Sequence, residues 1–334
     1  MTDEPIRDPN ALAVAPPGAE RRIEGALPGD PRELAFDAGA LSYESGLEIA
    51  ARSQWAYARR RFMRHRLALT SLVVLILVFG CGIFANVIAP YGYKEINLNA
   101  LSEPPSAHHL FGTDSAGRDS FSRTLFGIRT SARVGILVGV LSTILGTVIG
   151  GLAGFYGGWI DNLLMRLTDL FLTLPLLAIL LTAARFLGHS TPTKLALLLA
   201  ALIWTPIARV VRGSFLSLRE KEYVEAARAA GAGDTRIMFR HMLPNTVGPI
   251  VVAATLTIGL AILLEATLSF LGFGIEPPTP ALGALLNEGQ DQGIDKWWLV
   301  TFPGVVIVII VLSINFIGDG LRDALDPTQR RVRA

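Results

Sequence analysis

Residues Glu222 to Asn245 read EYVEAARAAGAGDTRIMFRHMLPN, a polar stretch set between long apolar segments. Glu222 to Ala230 consists of good helix formers with glutamates in the first turn, which suits a helix N-terminus. Gly231 is placed to end that helix, because glycine accepts the left-handed conformation of a helix C-cap. Asp234 then N-caps a second short helix that stops before Pro244. The stretch is predicted to be a helix–turn–helix on a membrane surface. Ala226, Ala227, Ala229 and Ala230 give it a thin face on which another protein can pack closely.

The surroundings fix the solvent. The chain has 334 residues, 51% of them hydrophobic and 17% charged, with a mean hydropathy of +0.46. That balance excludes an ordinary soluble globule and points to an all-α polytopic membrane protein. A net charge of +2 leaves no nucleic-acid footprint. The single cysteine, Cys81, rules out a disulfide within the chain and supports no metal site. The opening MTDEPIRDPN lacks a basic segment followed by an apolar one, so it is not read as a cleavable signal peptide.

Residues 1–50 carry ten acidic and four basic side chains among Ala, Pro and Gly, the composition of a disordered acidic tail. From about Pro31 helix formers return, so a surface helix is an alternative there. Residues 51–66 hold six arginines and no acid, directly before the uncharged run Leu67–Ala89. At ~1.5 Å per residue that run is long enough to cross a ~30 Å hydrocarbon core. The arginines place the N-terminus in the cytoplasm. Five further spans follow, near Val134–Trp159, Thr168–Ala184, Leu195–Val211, Thr246–Leu271 and Leu299–Gly318, making six in all. The division that follows is 67–133 for the first span and external loop, 134–318 for a five-helix core with its loop at 212–245, and 319–334 for a cytoplasmic tail. With this topology the inner flanks hold 17 Lys and Arg and the outer loops 8. Both termini, and the 222–245 stretch, are therefore expected in the cytoplasm.

Between the spans, HLFGTDSAGRDSFSRTLFGIRTS (109–131) has Gly112 and Gly117 as turn residues and Asp119 or Ser120 as a cap for a helix lying on the outer surface. His108 and His109 are read as solvated loop residues. The second span has glycines at 135/139, 146/150, 150/154 and 154/158, a spacing for close helix packing against a partner in this chain or another. Arg166 and Asp169 are spaced to pair, Pro175 to kink the third span, and Arg209 and Arg212 to snorkel. Glu265 lies inside the fifth span, where a charge costs on the order of 3 kcal/mol at the centre and somewhat less off-centre. It is either a pathway or gate residue or one end of an interhelical hydrogen bond. No GxxxxGK[ST] phosphate loop and no catalytic grouping of Ser, His and Asp occurs, so ATP is not bound here in that way.

The 222–245 stretch resembles the "EAA" loop of permease subunits of binding-protein-dependent ABC importers. Glu225, Ala226, Ala227, Gly231, Leu243 and Pro244 match at the motif's spacing, while His241 stands where the general motif has Ile. Arg240 to Asn245 resembles the oligopeptide/dipeptide/nickel branch, as do GTDSAGRD (112–119), EATLSFLG (265–272) and GDGLRDALDP (318–327). The resemblance covers roughly residues 60–330 and points to a C-type permease of that branch. It implies a type I importer permease fold whose loop is a cytoplasmic coupling helix. Glu222, Tyr223, Glu225, Ala226, Ala227, Gly231, Asp234, His241, Leu243 and Pro244 would be the ATPase-coupling interface. It further implies a peptide, nickel or other small solute as cargo, and residence in a bacterial or archaeal cell membrane among its lipids. The partners would be a second homologous permease, two ATPases holding ATP and Mg, and an extracytoplasmic binding protein that docks on 90–131 and 272–298. This chain itself would be no enzyme and hold no cofactor. A lone ion-coupled secondary transporter is the rival reading, favoured by Glu265 and opposed by the lack of a repeat of halves.

Overall fold

The computed structural model describes residues 54–186, 188 and 191–325, with the side chains of 54–57 excepted. The expected acidic tail at 1–50 and the end of the C-terminal tail at 326–334 lie outside the described residues. Among the described residues nearly everything is helix, and the only extended pairing is a bridge between Thr113 and Asp119.

Helix α1 (Gln54–Phe62) turns through 63–65 into α2 (Arg66–Ile83), the first span. Phe84 interrupts it, and a single turn, α3 (Ala85–Ile88), completes the apolar run. The next helix, α4, runs unbroken from Ser120 to Tyr156, 37 residues. The surface helix expected at 120–131 and the second span are thus one element. Asp119 caps it, its carboxylate accepting from the Ser122 amide at 2.7 Å.

The third span departs most from expectation. It is two helices, α5 (Gly158–Thr173) and α6 (Leu176–Phe186), meeting at 86°. Pro175 lacks an amide donor and forces Leu174 out of the helical region, to φ −76° and ψ 139°. The fourth span is likewise α7 (Pro192–Ile203) and α8 (Thr205–Arg219), bent by 44° at Trp204. After the loop at 220–242 come α11 (Leu243–Phe270), α12 (Leu282–Gln290) in the second large connection, and α13 (Trp298–Leu325). The last helix extends seven residues past Gly318, into what was read as tail. By length and composition four helices can cross a membrane, or six if each bent pair is one span. This is a multi-pass membrane protein.

Glycines bring α4 and α8 into contact. A Cβ at Gly146, Gly150 or Gly154 would meet the backbone carbonyl of Trp204, Ala208 or Arg212 respectively. Gly135 and Gly139 take the side chains of Ile262 and Ile258 on α11. The stripe from Gly135 to Gly154 is therefore filled within the chain, whereas Gly158, the last glycine of the spacing, begins α5 and has nothing within 4 Å of its Cβ position. Three apolar clusters result: Val134, Leu199 and Leu268 in one, Ile128, Ile262 and Ile310 in a second, Phe155, Val211 and Phe215 in the third. The third lies beneath the 220–242 loop. The end of the molecule that carries this loop is the near end; residues 84–119 and 271–297 make up the far end.

Candidate functional site

The loop's first helix, α9, spans Glu222–Ala229, one residue short of the predicted end. Gly231 follows with φ +80°, and the amides of Gly231 and Ala232 donate to the carbonyls of Arg228 and Ala227, both at 3.0 Å. This pair of bonds is the Schellman arrangement that a left-handed glycine permits. No atom lies within 4 Å of a Cβ built on Gly231. Within this chain the glycine serves the turn, and the space above it is open.

Beyond the turn the sequence reading needs two corrections. Gly233, not Asp234, holds the N-cap position of α10 (Asp234–Arg236), and the aspartate makes no capping bond. Nor does the second helix stop before Pro244. It passes through a π-helical turn, Ile237–Met242, and continues as α11. The wider turn absorbs the proline, which sits in the first turn of α11 where a missing donor costs little. The Asn245 side-chain amide closes the junction by donating to the His241 carbonyl at 2.7 Å and to the Tyr223 hydroxyl at 3.4 Å. Partial burial raises the Tyr223 hydroxyl above its ordinary pKa, with the Asn245 bond acting against it. The phenol therefore stays neutral.

The residues sort by face. Glu222, Tyr223, Glu225, Ala226, Gly231, Asp234 and Pro244 are exposed, while Ala227, His241 and Leu243 are half-buried. Among the described residues no ion pair engages Glu222, Glu225 or Asp234. The opposite face is an anchor. Val224, Ile237 and Met242 are fully buried against Phe155, Ile207, Val211 and Phe215. Phe239, 66% exposed, extends the outer face and was not singled out from sequence. Its signal was an aromatic residue inside an otherwise polar loop.

Helix α8 leads into this loop and carries two ion pairs to α5. Arg212 grips Asp161 with two bonds of 2.5 and 2.6 Å, and Arg209 meets Asp169 at 2.6 Å. These replace the expected Arg166–Asp169 pair and the snorkelling of both arginines. Arg209 and Arg212 are three residues apart on α8, so both reach the same side.

Glu265 lies apart from the loop, 21 residues beyond Pro244 and so roughly 30 Å along α11. It is fully buried and accepts from the hydroxyls of Ser131 on α4 at 2.7 Å and Ser269 at 2.9 Å. The interhelical hydrogen bond is the arrangement observed. His109 is also buried, against expectation. It stacks on Tyr91 with centroids 4.9 Å apart and places Nδ1 2.9 Å from Asp119. Among the described residues no three His, Cys, Asp or Glu side chains are grouped to hold a metal.

A chain of apolar spans, two of them bent, with an anchored helix–turn exposed at one end is the architecture of a membrane transport component. Residues 146–331 match the model of the binding-protein-dependent transport system inner membrane component family, and residues 53–105 that of the N-terminal membrane domain of oligopeptide transport permease C. The chain is 41% identical over 291 residues to the oligopeptide transport system permease protein OppC of Escherichia coli K12, covering 86% of this chain and 96% of that one. It is 40% identical over 275 residues to the corresponding protein of Mycobacterium tuberculosis H37Rv, covering 82% and 94%. It is also 40% identical over 284 residues to the dipeptide transport system permease protein DppC of Alkalihalophilus pseudofirmus, covering 85% and 93%. The chain belongs to the binding-protein-dependent transport system inner membrane component family, as a permease component.

Proposed function

We propose that this chain is the permease subunit of an ATP-driven importer of dipeptides or oligopeptides in a prokaryotic cell membrane, with both termini cytoplasmic. A second homologous permease completes the pathway, two ATPases holding ATP and Mg dock on the near-end loops, and a binding protein delivers the peptide to the far end. The likeness to oligopeptide and dipeptide permeases over most of the chain supports the substrate class. The observation that carries the coupling role is the two-sided loop: an open outer face over Gly231, and an inner face of Val224, Ile237 and Met242 fixed to the core.

That arrangement turns a push into a movement of spans. A partner seated on α9 acts through Val224 on Phe215 and Val211 of α8, and through the unbroken π turn on α11. Motion of α8 then tilts α4 and α5, to which it is bound by the glycine contacts and the ion pairs. When ATP draws the two ATPases together, both loops move and the spans pass from inward-open to outward-open. The test is affinity purification of the tagged chain from native membranes, joined to uptake of a labelled dipeptide. Recovery of a second permease, an ATPase pair and a peptide-binding protein is expected. A chain recovered without any ATPase, with uptake that survives ATP depletion, overturns the reading.

A further inference from the structure

Helix α1 and the start of α2 carry a cationic surface that the proposed coupling mechanism does not involve. Arg59, Arg60, Arg64 and Arg66 are exposed, and among the described residues none of them has an ion-pair partner. Four arginines elsewhere, Arg118, Arg123, Arg209 and Arg212, meet carboxylates within 3.0 Å, so the fold pairs some of its arginines and leaves the clustered four to the outside. Arg64 and Arg66 flank His65, the N-cap of α2, where positive charge is electrostatically disfavoured unless something offsets it. Beside them Met63 and Leu67 are each 59% exposed.

The surface is held in shape. Ala58 faces inward at 8% exposure, so at 100° per residue Arg59 and Arg60 point away from the core. The Met63 and His65 amides donate to the Arg59 and Phe62 carbonyls, both at 3.0 Å. His65 caps α2 by accepting from the Ala68 amide at 3.1 Å, and its Nε2 lies 3.7 Å from Asp323 of α13. A Cβ at Gly320 would fall on Ala68, so the start of α2 rests directly on α13.

We propose that Arg59, Arg60, Arg64 and Arg66 form a binding site for anionic phospholipid headgroups, with Met63 and Leu67 entering the adjoining acyl region. Charge complementarity selects the occupant. The guanidinium fork matches phosphate oxygens, and basic side chains next to exposed apolar ones at the start of a span suit the headgroup boundary of a bilayer. The contacts to Asp323 and Gly320 join the site to the last helix, so a bound lipid stabilises the packing of α2 on α13.

The test uses the full chain in nanodiscs of equal phosphatidylcholine and phosphatidylglycerol, extracted into mild detergent, with the retained lipid quantified by mass spectrometry. Phosphatidylglycerol is expected to be enriched about tenfold over phosphatidylcholine. The enrichment should collapse at about 1 M salt, where screening reaches a few ångströms. R59Q/R60Q/R64Q/R66Q should lose it, and the corresponding fourfold lysine variant should keep most of it. Equal retention of the two lipids by the unaltered chain at low salt overturns the proposal, whatever becomes of the variants. So does enrichment that the glutamine variant leaves unchanged, or that millimolar inorganic phosphate abolishes.

Discussion

The two ends of this permease treat charge in opposite ways. At the far end, one cluster of charges is buried and cross-linked. Arg123, 5% exposed, reaches Asp114 at 2.8 Å and both oxygens of Glu288 at 2.6 and 2.9 Å, while Arg118 meets the same two acids. The first connection is thereby bolted to α12 of the second. At the near end, the loop keeps Glu222, Glu225 and Asp234 on its surface, and of the two ion pairs between α8 and α5 the Arg209–Asp169 pair is half open to solvent. A buried pair cannot be broken without stranding a charge, whereas an exposed one parts at little cost. The far-end cluster has the bonding of a fixed platform, while the near-end pair at Arg209 has the bonding of a part free to move.

The sharpest way to break this contrast is Arg123→Ala. It leaves Asp114 and Glu288 held by the more exposed Arg118 alone, and Asp114 is 2% exposed. The loss should be on the order of 3 kcal/mol, discounted for the partial exposure of Glu288. Thermal unfolding in detergent, followed by tryptophan fluorescence, should show a clear fall, because Trp298 donates to the Thr113 carbonyl beside the network. Arg118→Ala, at a more open position, should cost less than half as much. Equal, small effects would mean that the far end is no platform.

Gly231 comes next, with an effect on transport more than on folding. Gly231→Asp should reduce peptide uptake more than tenfold while membrane insertion stays normal. The informative companion is Gly231→Asn, since asparagine tolerates the left-handed conformation that φ +80° requires. Open space around the glycine means that the asparagine chain folds as before. It should nevertheless lose uptake, because the added side chain occupies the gap where a partner seats. Retained uptake in Gly231→Asn would reduce the glycine's role to its backbone angle.

Much of this was legible in the sequence because the bilayer imposes few choices. Apolar length located the spans, the cap was narrowed to Asp119 or Ser120, and Gly231 announced its turn. What stayed hidden was set by contacts between segments far apart in the chain. Pro175 signalled a kink, but an 86° bend depends on what α5 and α6 pack against. Asp169 had a plausible partner three residues away in Arg166, and only the placement of α8 revealed Arg209 instead. His109 looked like a solvated histidine because neither Tyr91 nor Asp119 is its neighbour in sequence. Similarly, the glycine stripe announced close packing without naming α8 and α11 as its partners.

The near-end ion pairs supply the smaller effects. Asp161→Asn should cost about 1 kcal/mol, since its side chain is 13% exposed and its bond to Arg212 is two-pronged. Its signature should be in coupling: if α5 follows α8, ATPase activity of the assembled complex continues while uptake per ATP falls severalfold. Exchanging the charges, Asp161→Arg with Arg212→Asp, should recover part of that loss. Asp169→Ala should fall within about 0.5 kcal/mol of the unaltered chain, because both partners are about half exposed and the gain of such a pair is largely cancelled by screening and side-chain entropy. Should Asp169→Ala match Arg123→Ala in unfolding temperature, the near end would be as rigidly bolted as the far end, and movement of the loop would have to be sought in the bend at Trp204.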